Sequence, residues 1–575
     1  MSSSSLSSLL AIPRSLRRLG FGAATLVGGS YAISLYINDD FDDVIPPKWL
    51  RVPTAHGDVP KQKLVVLGSG WGAMSLIRKL NLEDVDLTVV SPRPYFFYTP
   101  LLAGSATGTV SHSNIQESVR HAVVKNGEER GRYVQATCEN VDFRNKTVKC
   151  SLGGDTDSGV EIPYDKLVIA VGAQPATFGI KGVKENALFL KELEDGVKVR
   201  SKVLSLIEKA SALQNISSAK SKEVPDNAER ENEIDRLLHF VVVGGGPTGT
   251  ELCAELSDFL RKDVARGFPE IASRVRVTLV EGLPRILSMF DEQLASYAQS
   301  HLQKSAIDIK TNKFVAEVGP TTATIKDAKS KELHTLDYGM LVWAAGITTR
   351  PVVSHLIAAV GKEGGQNSRR GLVVDKHLRV KGTKEGDVYA IGDCAVSGLP
   401  PTAQVAAQQG KYLGRILRKE FQQRRQKGAI VTEKDDDDNS AQVAAYDEGA
   451  QFVVPEFTYN DKGKMAYIGS GEGVVEIGSG TSSSSSSSSS SKKGGDPTQA
   501  IDYNFWRSIH SAVGEPRIVG QSGFMIWRSV YFSMLLSARN RMAICGDWVR
   551  TYLFGRDITS PTTYTATNTF QAREQ

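Results

Sequence analysis

Cysteine is scarce and scattered. Cys138, Cys150, Cys253, Cys394 and Cys545 form no C-x-x-C pair and no His/Cys cluster at zinc spacing. That leaves no framework for structural disulfides or for a structural metal. Charge of one sign is lacking too, since a net charge of +5 over 575 residues gives no basic footprint for nucleic acid. The acidic run "EKDDDD" is not a calcium loop: counting from Asp435, Ser440 stands where Gly is needed and Tyr446 where the bidentate Glu belongs. Long apolar runs are rare. Within 523–557 the longest uncharged stretch, 529–538, has ten residues, too few to span a bilayer.

Acid is absent from the start of the chain. Nothing before Asp39 is acidic, Ser is abundant, and Arg14, Arg17 and Arg18 supply positive charge, the composition of an organelle transit peptide. Residues 19–37 are uncharged and as a helix would reach roughly 28 Å, just enough for a bilayer core. Two outcomes stay open: a cleaved leader, or a retained single anchor.

What the chain does have is one design, twice. "KLVVLGSGWGAMSLIRKL" (63–80) and "HFVVVGGGPTGTELCAEL" (239–256) each run from an apolar strand through a tight glycine turn into a helix. In the first, Gly68 permits the turn, Gly70 lets backbone approach a pyrophosphate, Gly72 follows, and Ala73 keeps helix and strand close. Gly244, Gly246 and Gly249 repeat the pattern. Partner strands follow, "DLTVVS" ending at Ser91 and "VRVTLVE" ending at Glu281. Glu281 is placed to accept both ribose hydroxyls of NADH, and its charge would repel a 2′-phosphate. Ser91, with Pro92 and Arg93 after it, departs from that acidic fingerprint. Further apolar strands end at Gly172 and Gly346, and the charged stretch 217–232 reads as a solvated linker.

"VYAIGDCA" assigns the sites. A strand ending in Gly392-Asp393, late in a chain with two such units, resembles the second flavin motif of two-dinucleotide-domain flavoproteins. The resemblance implies that Asp393 bonds a ribityl hydroxyl, that the first turn holds FAD and the second NADH, and that nicotinamide meets isoalloxazine for hydride transfer. A disulfide reductase of this architecture would carry C-x-x-x-x-C after the first turn, and residues 71–137 contain no cysteine.

"VVSPRPYFFYTPLLAGSATGTV", "LVEGLPRILSMF", "WAAGITTRP", "LPPTAQVAAQQGKYL" and "YNDKGKMAYIGSGE" resemble the mitochondrial type II (alternative, rotenone-insensitive) NADH:ubiquinone oxidoreductases. The likeness covers about 60–420 and the segment from about 520. It implies a non-proton-pumping enzyme that passes electrons from NADH through FAD to ubiquinone. Gln404 and Gln408 would lie at the quinone end of the flavin pocket, and Glu251 and Glu255 near the nicotinamide, for positioning, proton delivery or structure alone. It also implies C-terminal helices docked on inner-membrane lipid and a homodimer through that region. A transit peptide followed by a stop-transfer-like run favours the intermembrane-space face; cleavage after residue 38 favours the matrix face. A sulfide:quinone type of acceptor and a cell-death-type flavoprotein with little turnover are the alternatives. The expected layout is an α/β flavoprotein with two Rossmann-like domains: 1–60 leader and possible anchor, 61–200 and 366–420 FAD domain, 235–365 NADH domain, and 421–575 membrane-docking region with disordered insertions.

Overall fold

The computed structural model describes residues 60–125, 128–153, 155–215, 227–432, 454–481 and 517–559. The leader, the acidic run and the serine run lie outside them. The first sheet begins with β1 (Gln62–Leu67), β2 (Val85–Val90), β3 (Arg132–Val134) and β4 (Lys166–Ile169). The second holds β5 (Leu188–Phe189), β6 (His239–Val243), β7 (Arg276–Val280), β8 (Ile307–Lys310) and β9 (Met340–Trp343). The chain then returns to the first sheet as β10 (Val388–Ala390). All pairings are parallel, in the orders β10-β4-β1-β2-β3 and β5-β9-β6-β7-β8. β6 is buried at every position, as expected of a parallel strand covered on both faces, which is why it reads as a continuous apolar run.

The two units are built alike and exchange their edges. β5 precedes the second unit in the chain and β10 follows it. Where the chain crosses between units, Ala173–Pro175 pairs antiparallel with Ile347–Thr349. β5 lies inside the 61–200 stretch assigned to the first unit, yet it pairs with β9. The crossing link after β4 is so short that the chain has already changed sheets by residue 188. The stretch 217–232 also differs from expectation: from Asn227 it is helical, in the helix Asn227–Leu237.

Six helices position the chemistry: α1 (Trp71–Ile77), α2 (Leu102–Thr107), α3 (Pro247–Asp258), α4 (Ala403–Thr432), α5 (Gly520–Met534) and α6 (Ala538–Phe554). α4 runs beyond the expected boundary at 420. It lies against α1 through small residues: a Cβ on Gly410 would sit 2.2 Å from the Gly72 carbonyl oxygen, and one on Gly414 2.7 Å from that of Leu76. No side chain fits between the two backbones there.

The C-terminal part is a three-stranded antiparallel sheet, β11 (Asn460–Gly469), β12 (Glu472–Thr481) and β13 (Arg517–Val519), followed by α5 and α6. It touches both units. β11 lies on α3, while Asp547 of α6 accepts from Ser111 N–H at 2.8 Å and from Asn114 Nδ2 at 2.7 Å. α6 has two faces: Asn540, Ile544, Asp547 and Trp548 are buried, whereas Met542, Val549, Leu553 and Phe554 are exposed. Exposed Arg539 and Arg550 border that apolar face. Among the described residues no helix is long and apolar enough to cross a membrane.

Candidate active site

Both glycine turns have the same geometry. Gly68 has φ +109° and Gly244 φ +111°. A Cβ on Gly68 would meet the Ala170 carbonyl oxygen at 2.3 Å, and one on Gly244 that of Ala344 at 2.7 Å. In each unit the turn is therefore pressed onto the strand beside it, and only glycine fits. Gly70 and Gly246, the N-caps of α1 and α3, face open space, where a pyrophosphate can approach the helix end. Gly249 would drive a Cβ to 1.9 Å from the Gly244 carbonyl oxygen, so it is the close-packing glycine of the second turn. Gly72 is packed against Ile391 and the α4 backbone at Ala406, and Ala73 beside it is buried.

The strand ends then diverge. Glu281 folds back onto its turn, Oε2 accepting from Gly245 N–H and Oε1 from Leu283 N–H at 2.7 Å. Its carboxylate is thus fixed beside the glycines of the second turn. Ser91 is buried and shares a hydrogen bond with Ser69 at 2.9 Å. Arg93 pairs with Glu192, which also holds Arg350 at 2.7 Å. Arg350 in turn donates to the Val171 carbonyl at 2.8 Å, so these charges fasten the crossing between units.

The Gly392-Asp393 motif is close by. Gly172 (φ +68°) follows β4 and faces open space. Gly392 has φ +74°, and its N–H donates to Gln409 Oε1 at 2.7 Å. Asp393 lies 3.4 Å from Lys191 Nζ. Open space at Gly70 and Gly172, beside a carboxylate and an ammonium, fits the phosphates and ribityl hydroxyls of FAD. In the second unit Gly346 (φ +70°) is covered by Phe178, whose ring tip would lie 2.3 Å from a Cβ added there. Gln409, Lys191 and Phe178 were not singled out from sequence. The doubled Gln408-Gln409 was the signal for the first; a lone Lys and a lone Phe gave none.

The glutamines are engaged with the C-terminal part. Gln408 bonds both backbone groups of Asn460, donating from Nε2 at 2.8 Å and accepting at 3.0 Å. Gln404 accepts from the Tyr459 hydroxyl and from Lys462 N–H at 3.1 Å, and donates to the Gly463 carbonyl at 3.4 Å. Both side chains therefore clamp the start of β11.

The glutamates are at the other end of β11. Glu251 Oε1 accepts from Tyr467 N–H and from the Trp527 indole N–H, each at 3.1 Å. Gly463, held by Gln404, and Tyr467, held by Glu251, are four residues apart on β11, on the order of 13 Å of extended strand, so both pairs are attached to the same strand. Glu251 and Glu255, one turn apart on α3, have different surroundings. Glu255 Oε2 accepts from Thr109 Oγ1 at 2.6 Å, Thr107 Oγ1 at 3.1 Å and Arg556 Nη2 at 2.8 Å. Among the described residues Glu251 has donors but no cation in contact, and burial pushes its carboxyl up to about 8 despite those two N–H groups. A group with that value holds a proton near neutral pH and can release it.

Cys138 and Cys150 face each other as free cysteines on paired strands, away from the Gly392-Asp393 motif in sequence, and Cys394 stands apart from them. Cys394 is buried and donates to the Ile169 and Ile391 carbonyls at 3.3 and 3.2 Å, a packing role. Among the described residues no second cysteine adjoins it.

Comparison with known proteins agrees with this geometry. The profile of the pyridine nucleotide-disulphide oxidoreductase family matches residues 62–410, and that of the NDH2 C-terminal domain matches 510–557. The external alternative NADH-ubiquinone oxidoreductase of Yarrowia lipolytica mitochondria is 35% identical over 566 residues, covering 95% of this chain and 87% of the relative. The external NADH-ubiquinone oxidoreductase 2 of Saccharomyces cerevisiae mitochondria is 35% identical over 532 residues, covering 91% and 87%. The NDH2 structure from Plasmodium falciparum in complex with NADH superposes with TM-score 0.69 at 25% identity, covering 87% of this chain and all of that one.

Proposed function

The chain belongs to the mitochondrial alternative NADH-ubiquinone oxidoreductases, within the pyridine nucleotide-disulphide oxidoreductase family, and from that premise we propose how its residues divide the work. It is a non-proton-pumping, FAD-dependent NADH:ubiquinone oxidoreductase. The observation that carries this is the repeated turn: two units of one geometry, of which only the second carries a fixed carboxylate, Glu281, at its strand end. Bound FAD supplies the relay by which a hydride from NADH becomes two electrons on ubiquinone.

The chain's own residues bind, orient and handle protons. Gly244, Gly246 and Gly249 admit the NADH pyrophosphate, Glu281 takes the ribose hydroxyls, and Gly346 leaves room for the nicotinamide once Phe178 turns aside. Gly68, Gly70, Gly72, Ala73 and Gly172 make the FAD cradle, Gly392 and Asp393 complete it, and Ser91 with Arg93 closes its wall. Gln404 and Gln408 serve the quinone end: each Nε2 now donates to a β11 carbonyl and can exchange that partner for a quinone carbonyl, where it stabilises developing negative charge. Glu251 carries the proton that quinone reduction consumes. Glu255, paired with Arg556, is structural.

The exposed apolar face of α6 with its arginine border suits an interfacial helix, so the C-terminal part docks on the inner mitochondrial membrane. The relatives named external, with the acid-free leader, support the intermembrane-space face. A homodimer through the same region is part of the proposal and is testable by light scattering. The function itself is tested in proteoliposomes holding ubiquinone and a pH-sensitive dye. NADH must be consumed one-for-one with ubiquinol formed, with no pH difference across the membrane. A pH gradient, or NADH oxidation without ubiquinol, would overturn it.

A further inference from the structure

The C-terminal part reaches Glu251 with one side chain. Trp527 of α5 is 6% exposed, and its indole N–H donates to the same oxygen, Oε1, that accepts from Tyr467 N–H. Among the described residues no hydrogen bond reaches Oε2. Around Trp527 stand Tyr531 at 4.9 Å and 82°, Tyr467 at 5.8 Å and Phe524 at 6.1 Å between ring centroids. Glu251 is itself only 7% exposed.

We propose that Trp527 is a positioning residue for Glu251: with the tyrosine amide it occupies Oε1, so that the mobile proton is carried on Oε2. This rests on the reading of Glu251 as the proton-carrying acid. The chemistry follows from the donors. Two N–H groups on one oxygen favour the carboxylate and leave the other oxygen as the site of protonation. The arrangement also makes the acid dependent on the module that docks on lipid, since α5 holds the indole in place.

The titratable and charged neighbours are few. Glu255 stands one turn along α3 and Tyr467 lies on β11 with its hydroxyl on Asp258. Tyr531 and Arg528 project from α5, and Arg556 follows α6, held by Glu255 and Asp263. α2 and its following loop contribute only the hydroxyls of Thr107 and Thr109, both on Glu255. Arg528 lies between the Phe524 and Trp548 rings at 4.5 and 4.7 Å. Trp527 is thus the one side-chain N–H donor on Glu251 among the described residues.

The test is the pH dependence of thermal stability of the FAD-loaded enzyme, with Trp527→Phe keeping a ring and removing the N–H. Losing a donor to the charged form raises the acid's midpoint, by about one unit. The same substitution in a Glu251→Gln background must produce no such shift. A wild-type midpoint in Trp527→Phe, with the transition lost in Glu251→Gln, would overturn the inference while leaving the acid's role intact. A normal kinetic pH profile in Glu251→Gln would instead overturn the acid's role alone. If Trp527→Phe does not fold, 5-fluorotryptophan is incorporated into the otherwise unchanged chain. One 19F resonance must then follow the acid's midpoint and cease to titrate in Glu251→Gln; no titrating resonance contradicts the contact.

Discussion

Arg556 Nη2 stands 2.8 Å from Glu255 Oε2, both side chains buried. The contact ties the segment after the last helix to α3, the helix that follows the second glycine turn, and Asp263 holds the other guanidinium nitrogen at 3.1 Å. Arg556→Met leaves buried Glu255 without its cation and leaves Asp263 only Arg266, at 3.4 Å. Breaking a buried pair from one side costs about 3–5 kcal/mol, so a large drop in melting temperature follows. Adding Glu255→Gln recovers part of it, because the stranded charge is gone. Thermal melts of the single and double variants check this.

Glu251 has the opposite dependence on pH from an ordinary surface carboxylate. Its folded value, about 8, lies above the usual 4.5, so the folded state binds the proton more tightly. The stability it contributes is fully present below pH 4.5 and is lost as pH rises to about 8, on the order of 5 kcal/mol. Glu251→Gln is therefore stabilising relative to wild type at pH 9 and near neutral at pH 4.5. Ubiquinone reduction should fall in wild type above about pH 8, and Glu251→Gln should be slow at every pH with that limb flattened.

On the proposed reading, Glu281 sets the choice of nucleotide. Its two oxygens are already held by Gly245 and Leu283 N–H groups, so the carboxylate cannot swing away from a ribose phosphate. Glu281→Gln removes the charge and should raise KM for NADH by roughly tenfold, the loss of one charged hydrogen bond, while improving kcat/KM for NADPH. Steady-state kinetics with both nucleotides tests it; an unchanged preference would show that Glu281 does not face the ribose.

Two neighbouring glycines should fail differently. A Cβ on Gly68 meets a carbonyl oxygen at 2.3 Å with φ at +109°, whereas one on Gly70 meets nothing within 4 Å. Gly68→Ala should lower stability and yield of folded protein. Gly70→Val should fold, and its side chain would fill the cradle, so the purified protein should carry little flavin. Absorbance near 450 nm against 280 nm, beside a melting curve, separates the two.

The sequence made the glycine turns, the strand-end Glu281 and the flavin motif legible because each depends on local backbone geometry and a fixed spacing. The edge exchange was hidden, since β5 is two residues long and takes its place only by pairing with β9. Glu251 and Glu255 were indistinguishable in sequence because both face the same side of α3. What separates them comes from far along the chain, Trp527 for one and Arg556 for the other. The glutamines were found by motif, but their partners at 459–463 lie across the 433–453 stretch, which no local pattern bridges.

The most direct test is anaerobic: NADH is added to the purified enzyme, absorbance near 450 nm is followed, and a ubiquinone analogue is then added. The account predicts prompt bleaching by NADH and prompt return of the absorbance on adding quinone, with one quinol formed per NADH. Bleaching without recovery would contradict it and place the electron acceptor elsewhere.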